Sequence, residues 1–240
     1  EDFIPDRIRV DVKTDKNAYK PGQRLTADVT ATNLFGPPAS GRKVENELRI
    51  SRKAFNPAKY PDFNFNIFTP ADIYIENQVN EGATGPDGKL AQQFSLPGHL
   101  NIGILEARLF TTVFDETGRP VNRYTRADIY TQDYFPGIKR LPGWVSTQKP
   151  VNISLLSLNR AEKPASGGVR IGQTSYRSQK KESIVFSREV TISPQGYTFQ
   201  YSPPLSGEYQ VRVSITGSPN YVAEGFYAYG WGDAGSSSFY

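Results

Sequence analysis

Residues 33–41 read Asn-Leu-Phe-Gly-Pro-Pro-Ala-Ser-Gly, and residues 159–167 read Asn-Arg-Ala-Glu-Lys-Pro-Ala-Ser-Gly. Each stretch closes a run of alternating apolar residues, and both end in Pro-Ala-Ser-Gly. The offset, 159 − 33 = 126, persists upstream, where Leu25, Ala27 and Val29 align with Val151, Ile153 and Leu155. Self-similarity at a fixed period marks a repeated structural unit. A chain of 240 residues is long enough for two such units, each able to bury its own core. The expectation is therefore two tandem copies of one β-domain. A module used twice suits a spacer, scaffold or binding array better than an enzyme.

The strand signals run outward from that repeat. Ile8, Val10 and Val12 alternate with charged residues, the period-2 pattern of a strand with one wet face. Tyr19-Lys20-Pro21-Gly22 follows as a turn, with Pro presetting φ and Gly accepting a positive one. Leu25, Ala27, Val29 and Ala31 form the next strand. Val44, Leu48 and Ile50 continue less cleanly. Residues 55–93 carry apolar and aromatic material that the second copy lacks, and they read as an insertion in the first. The only helical piece suggested, around Ala71 to Val79, is short and ambiguous. Strands then follow at Ile102–Phe114 and Asn122–Tyr130, reversed through Glu116-Thr117-Gly118-Arg119-Pro120. The reading gives domains at 1–132 and 133–240, both antiparallel β-sandwiches of the fibronectin-III-like kind, the second ending in a linker at 232–238.

Composition agrees with an all-β chain. Fourteen Tyr, 14 Phe and 2 Trp are split into short runs by 18 Pro and 21 Gly, the punctuation of a sandwich or barrel. The net charge of +4 lacks the clustering and aromatic interleaving that a nucleic-acid surface requires, so no nucleic-acid partner is expected. No stretch approaches the ~20 apolar residues of a membrane span, and no signal-peptide pattern opens the chain. A start at Glu1 with no Met anywhere reads as an excised piece of a longer protein.

Catalytic constellations find no support in the pattern. Cys is absent, which removes thiolate nucleophiles, disulfides and Cys-based metal sites. His99 is the single His, and a Ser-His-Asp triad needs partners that nothing in the sequence brings to it. Asp87, Asp115 and Glu116 sit in turns, where local hydrogen bonding explains them. No catalytic residue, metal ligand or cofactor is expected. Tyr134, Phe135 and Trp144 are turn-flanking apolar residues at the boundary, and they are candidates for a packed junction between the domains. Tyr227, Tyr229 and Trp231 share one face of a strand by period 2, a candidate interface stripe.

A resemblance now attaches to particular residues. Thr14-Asp15-Lys16-Asn17-Ala18-Tyr19-Lys20-Pro21-Gly22-Gln23 resembles the Asp-Lys-x-x-Tyr-x-Pro-Gly opening of macroglobulin-like domains. Asn33-Leu34-Phe35-Gly36-Pro37-Pro38-Ala39 resembles the Leu-Phe-Gly-x-Pro-Ala segment of bacterial α2-macroglobulins. The tail from Gly230-Trp231-Gly232 through Ser238 is similar to the exit ahead of their bait-region domain. The resemblance implies two middle macroglobulin-like domains of a broad-spectrum protease trap, a non-catalytic frame. It implies a periplasmic setting, with an inner-membrane anchor supplied by the parent protein. The partners implied are other domains of the same chain, and target proteases met through the parent. A chain without Cys cannot hold the family's Cys-Gly-Glu-Gln thioester. The alternative is a carbohydrate-binding or adhesive cell-surface module, with the Tyr227, Tyr229 and Trp231 stripe stacking on sugars.

Overall fold

The computed structural model describes residues 7–69, 74–100, 102–177 and 181–230, with the backbone alone at 176, 177 and 181–185. Every regular element among them is a strand. In chain order these are β1 (Ile8–Thr14), β2 (Ala18–Tyr19), β3 (Arg24–Asn33), β4 (Lys43–Lys53), β5 (Phe63–Asn64) and β6 (Ile67–Phe68). There follow β7 (Gln78–Ala83), β8 (Lys89–Ser95), β9 (Ile104–Phe114), β10 (Pro120–Tyr130), β11 (Tyr134–Lys139) and β12 (Trp144–Ser146). The last six are β13 (Val151–Asn159), β14 (Gly167–Arg177), β15 (Lys181–Ile192), β16 (Tyr197–Tyr201), β17 (Gly207–Ile215) and β18 (Tyr221–Tyr229). The suggested helix near Ala71–Val79 is not one: residues 74–77 are irregular and 78–79 open β7, while 71–73 lie outside the described residues.

The chain divides into two compact units. The first is Glu1–Lys53, Ile73–Leu100 and Ile104–Thr131, and the second is Ala54–Asp72, Asn101–Gly103 and Gln132–Tyr240. In the first unit a sheet ordered β1-β3-β8 accompanies one ordered β2-β10-β9-β4-β7. In the second, β16-β13-β11 accompanies β12-β18-β17-β14-β15. The two orders match strand for strand. Each unit is an antiparallel sandwich whose short β2 or β12 joins the larger sheet in parallel.

The 126-residue offset survives at the level of single hydrogen bonds. Thr32 bridges Pro38, and Leu158 bridges Pro164. Asn33 N–H donates to the Pro37 carbonyl at 2.8 Å, and Asn159 N–H donates to that of Lys163 at 2.8 Å. Gly36 turns with φ 101°, and Glu162, at the equivalent position, with φ 56°. A left-handed φ is unusual for a residue with a Cβ. The second copy therefore makes the same turn without the glycine that suits it.

Alternation explains the cores. Leu25, Ala27, Val29 and Ala31 are all buried on β3, as Val151, Ile153 and Leu155 are on β13. Ile8, Val10, Val29, Ala31, Val44, Val113 and Val121 pack together in the first unit. Ile138, Ile153, Leu155, Ile171, Val211, Val213 and Phe226 do so in the second. The uneven look of β4 has a specific cause: Asn46 occupies a core position and is fully buried. Its amide donates to Gln92 Oε1 at 2.7 Å, and its carbonyl oxygen accepts the Thr111 hydroxyl. A buried amide is tolerated when its partners are supplied.

The Asp-Lys-x-x-Tyr motif is a local lock. Tyr19 is buried, and its hydroxyl donates to Asp15 Oδ1 at 2.6 Å. The same oxygen accepts the Thr26 N–H at 2.7 Å, which ties the β1–β2 turn to β3. Burial alone would raise the Asp15 carboxyl, but the Tyr19 hydroxyl, the Thr26 N–H and Lys16 outweigh it and hold it below its usual range. Burial also pushes the Tyr19 hydroxyl well up, and the hydrogen bond to Asp15 adds to this. Replacing Tyr19 with Phe removes a hydrogen bond to a carboxylate while keeping the ring. A loss of about 1–2 kcal/mol is expected, read as a lower urea midpoint with an unchanged m-value. An unchanged midpoint would remove the lock from the account.

The insertion assigned to the first copy is the chief difference from the sequence reading. Residues 74–93 do stay with the first unit, as β7 on β4 and β8 on β3. Residues 54–69 belong instead to the second unit, where β5 pairs β11 and β6 pairs β18. Their aromatic side chains and backbone groups answer two open strand edges more than 60 positions further along the chain.

Candidate functional site

The segment 54–69 forms a strap along one side of the second unit. Phe63 and Asn64 pair with Lys139 and Ile138 on the edge of one sheet. Ile67 and Phe68 pair with Val222 and Tyr221 on the edge of the other. Asn64 serves both, because its side-chain amide also donates to the Ala223 carbonyl of β18 at 3.0 Å. Open strand edges present unpaired backbone groups, and covering them is the usual remedy. The Arg140 N–H donates to the Asp62 carbonyl at 2.8 Å and extends the seam.

Aromatic packing holds the strap down. Phe55 stacks on Phe135 with ring centroids 4.1 Å apart and an interplanar angle of 22°. Phe65 meets Phe55 edge-on at 5.5 Å, and Phe63 lies 6.3 Å from Phe65. Offset-stacked and edge-to-face pairs are the favoured geometries of aromatic quadrupoles. The Phe65 ring sits over Gly137 so closely that a methyl group there would overlap it. Gly137 is thus the seat of the strap on β11.

The residues expected at a junction occupy different settings. Phe135 is 1% exposed and stacked on Phe55 in this aromatic cluster. Tyr134 is half-buried, and its hydroxyl donates to the Gly168 carbonyl at 2.8 Å. Trp144 on β12 is 69% exposed, with its ring 5.0 Å from that of Tyr227, so it does not cap a core. Tyr227 and Tyr229 are 41% and 46% exposed on the outward face of β18, between the inward-facing Phe226 and Ala228. Trp231 lies outside the described residues.

The titratable groups are explained by turn chemistry and ion pairs. Asp115 Oδ1 accepts the Thr117 hydroxyl at 2.7 Å, the Thr117 N–H at 2.8 Å and the Arg119 N–H at 2.9 Å. These bonds, led by the Thr117 hydroxyl, hold its carboxyl below the usual range. Glu106 accepts Arg108 Nε at 2.6 Å, and that bond is the main reason its carboxyl is also lowered. Groups lowered by folding add stability above their unfolded values, near 4, and lose it as pH falls through the folded ones. The first unit, which holds Asp15, Glu106 and Asp115, is therefore expected to lose its urea resistance below about pH 4. Asp115→Asn should flatten that dependence, and an unaltered pH profile would contradict the assignment. His99 is exposed in the 96–100 loop, and no group of three metal-ligating side chains occurs among the described residues.

The profile of the family described as "Bacterial Alpha-2-macroglobulin MG5 domain" matches residues 6–130. The chain belongs to that family. The MG5 match covers the first unit apart from residues 1–5 and Thr131, and it includes the strap, whose place is in the second.

Relatives of this MG5 chain carry the same family name. It is 23% identical over 241 aligned positions to alpha-2-macroglobulin of Pasteurella multocida and 24% identical over 237 to a Yersinia pestis alpha-2-macroglobulin homolog. Each alignment covers 89% of this chain and 12% of the relative, so the chain spans about an eighth of those proteins. A crystal structure of trypsin-activated alpha-2-macroglobulin from Escherichia coli matches with a TM-score of 0.69 at 17% identity, over 97% of this chain and 17% of that one. Salmonella alpha-2-macroglobulin reacted with methylamine matches with a TM-score of 0.60 at 16% identity, over 95% and 17%. At such identities the likeness speaks to the fold, the all-β macroglobulin-like sandwich.

Sequence reasoning in this MG5 chain overlooked Phe55, Phe63, Phe65 and Asn64 as parts of the second unit. The one signal available was the second copy's lack of an insertion of its own. It also overlooked Arg170, Gly172 and Arg212, which line a groove on the second unit. There the usable hint was a glycine inside a strand pattern, which marks a bulge or a close approach by a ligand or backbone.

Proposed function

We propose that the chain supplies two non-catalytic frame modules of a bacterial α2-macroglobulin-like broad-spectrum protease trap. The observation that carries this reading is the hydrogen-bond-level repeat at offset 126. Two copies of one sandwich keep the same sheet orders and the same turn. A closely packed sandwich moves as a body when neighbouring parts rearrange. Alpha-2-macroglobulins described as trypsin-activated or activated by porcine elastase share this fold, which supports a setting in which proteases act on the parent. Its location is the bacterial cell envelope, in the periplasm, with any membrane anchor supplied by the parent. The chain's direct partners are other domains of that parent, and proteases reach it only through the parent.

The test separates frame from trap. Mixed in excess with trypsin, the 240-residue chain should leave activity toward a protein substrate unchanged, whereas the full-length parent should reduce it stoichiometrically. Stoichiometric inhibition by the chain alone would overturn the frame reading. Failure of the parent to inhibit would overturn the trap.

A further inference from the structure

The outward face of the second unit's larger sheet has a gap in its side-chain cover. Cross-strand pairing sets Gly172 of β14 between Ser187 of β15 and Arg212 of β17. The neighbouring row sets Arg170 beside Ser214. A Cβ placed on Gly172 would meet nothing within 4 Å, so the glycine leaves an open floor. The resulting groove has a volume of about 340 Å³ and is walled on one side by Tyr221.

Its polar groups converge and are partly pre-set. Arg212 Nε donates to Gln210 Oε1 at 2.7 Å, and its guanidinium lies 4.8 Å from the centre of the Tyr221 ring. That combination fixes the plane of the guanidinium at the groove wall. Arg170 reaches Glu189 at 3.4 Å across an exposed pair. Such exposed pairs contribute little, so the guanidinium is readily given up to a better acceptor.

We propose that this groove binds an acidic saccharide unit of the hexuronate kind. Its carboxylate would pair with Arg170 and Arg212 and its hydroxyls with Ser187 and Ser214, against a wall formed by Tyr221, whose ring already lies under Arg212 and beside Phe68. Two planar guanidinium groups match a carboxylate bidentately. The opening lies on the face of a sheet and not at its edge. An incoming peptide therefore finds no backbone N–H and C=O row to extend, the source of affinity in strand addition. Recognition must come from side chains alone, and here these are hydroxyls, guanidinium groups and one aromatic ring. The volume sits at the small end of the roughly 300–1,000 Å³ typical of small-molecule sites. The same outward face of β18 continues from Tyr221 to the exposed Tyr227 and Tyr229, about 20–26 Å along the strand. That gives a longer acidic oligosaccharide further rings to lie on.

The experiment titrates the 240-residue chain with trigalacturonate while following amide and arginine side-chain resonances, with maltotriose and inorganic sulfate as parallel probes. Trigalacturonate should shift groove resonances saturably, and added salt should weaken it. Gly172→Val fills the floor with a strand-favouring residue, and it should weaken binding more than tenfold without lowering the melting temperature. Arg212→Ala should also weaken it more than tenfold, and it decides the matter if the valine variant fails to fold. Glu189→Gln frees Arg170 and should tighten binding several-fold. Absence of groove shifts, or undiminished binding by both weakening variants, would overturn the site. An equal response to maltotriose would overturn its acidic specificity, and an equal affinity for sulfate would overturn the saccharide.

Discussion

Replacing Phe135 with alanine is expected to lower the stability of the second unit by about 3–5 kcal/mol, the usual cost of emptying a buried Phe site. The ring is 1% exposed and stacked at 4.1 Å on Phe55, so truncation removes contacts from two segments far apart in sequence. Collapse cannot heal the gap, because β5 and β6 fix the strap on both sides of it. In a thermal scan the second unit's transition should fall by about 10–20 °C, while the first unit's stays in place. A loss below about 0.5 kcal/mol, the ordinary surface range, would show that Phe135 is not a packing centre.

Gly137→Val tests the strap by the opposite route, leaving every aromatic ring present. A side chain at 137 overlaps the Phe65 ring, so either β11 shifts or the strap lifts off. Overpacking alone costs about 1–3 kcal/mol. Lifting the strap also exposes two edges and releases the bond from Asn64 to Ala223. The expected readout is local. Amides of residues 64, 67 and 68 should lose exchange protection, and chymotrypsin should cut near Phe63 and Phe65. Amides of β3 and β9 should keep theirs. Protection retained across the strap would mean that Phe65 repacks without it.

Much of this architecture was legible in the primary structure, because the repeat and the alternation act locally. Leu25 to Ala31 and Val151 to Leu155 announce buried strands through period 2. The Pro-Ala-Ser-Gly pair announces the shared turn. The strap was not legible, for a physical reason. Residues 54–69 are aromatic-rich but broken by Pro57 and Pro61 into strands of only two residues, and their pairing depends on which distant edges remain open. Asn46 misled in a smaller way, since a buried amide reads as polar until Gln92 and Thr111 appear beside it. Tyr227 and Tyr229 lie on the outward face of β18, where strand alternation puts residues two apart. The groove escaped notice because its floor is defined by a missing side chain, Gly172, and its walls come from three strands.

The strap also sets an order of events during synthesis. Residues 63–68 leave the ribosome long before β18, whose last residue is Tyr229. At about 5–20 residues per second, the interval of 229 − 68 = 161 residues lasts on the order of ten to thirty seconds. Throughout that interval Phe55, Phe63 and Phe65 have no finished β11–β18 surface to sit on. The first sandwich can close around its own strands while carrying an apolar segment whose destination has not yet been translated. The nascent chain therefore passes through a stage in which an exposed aromatic stretch waits for the edges that it later covers in the second unit.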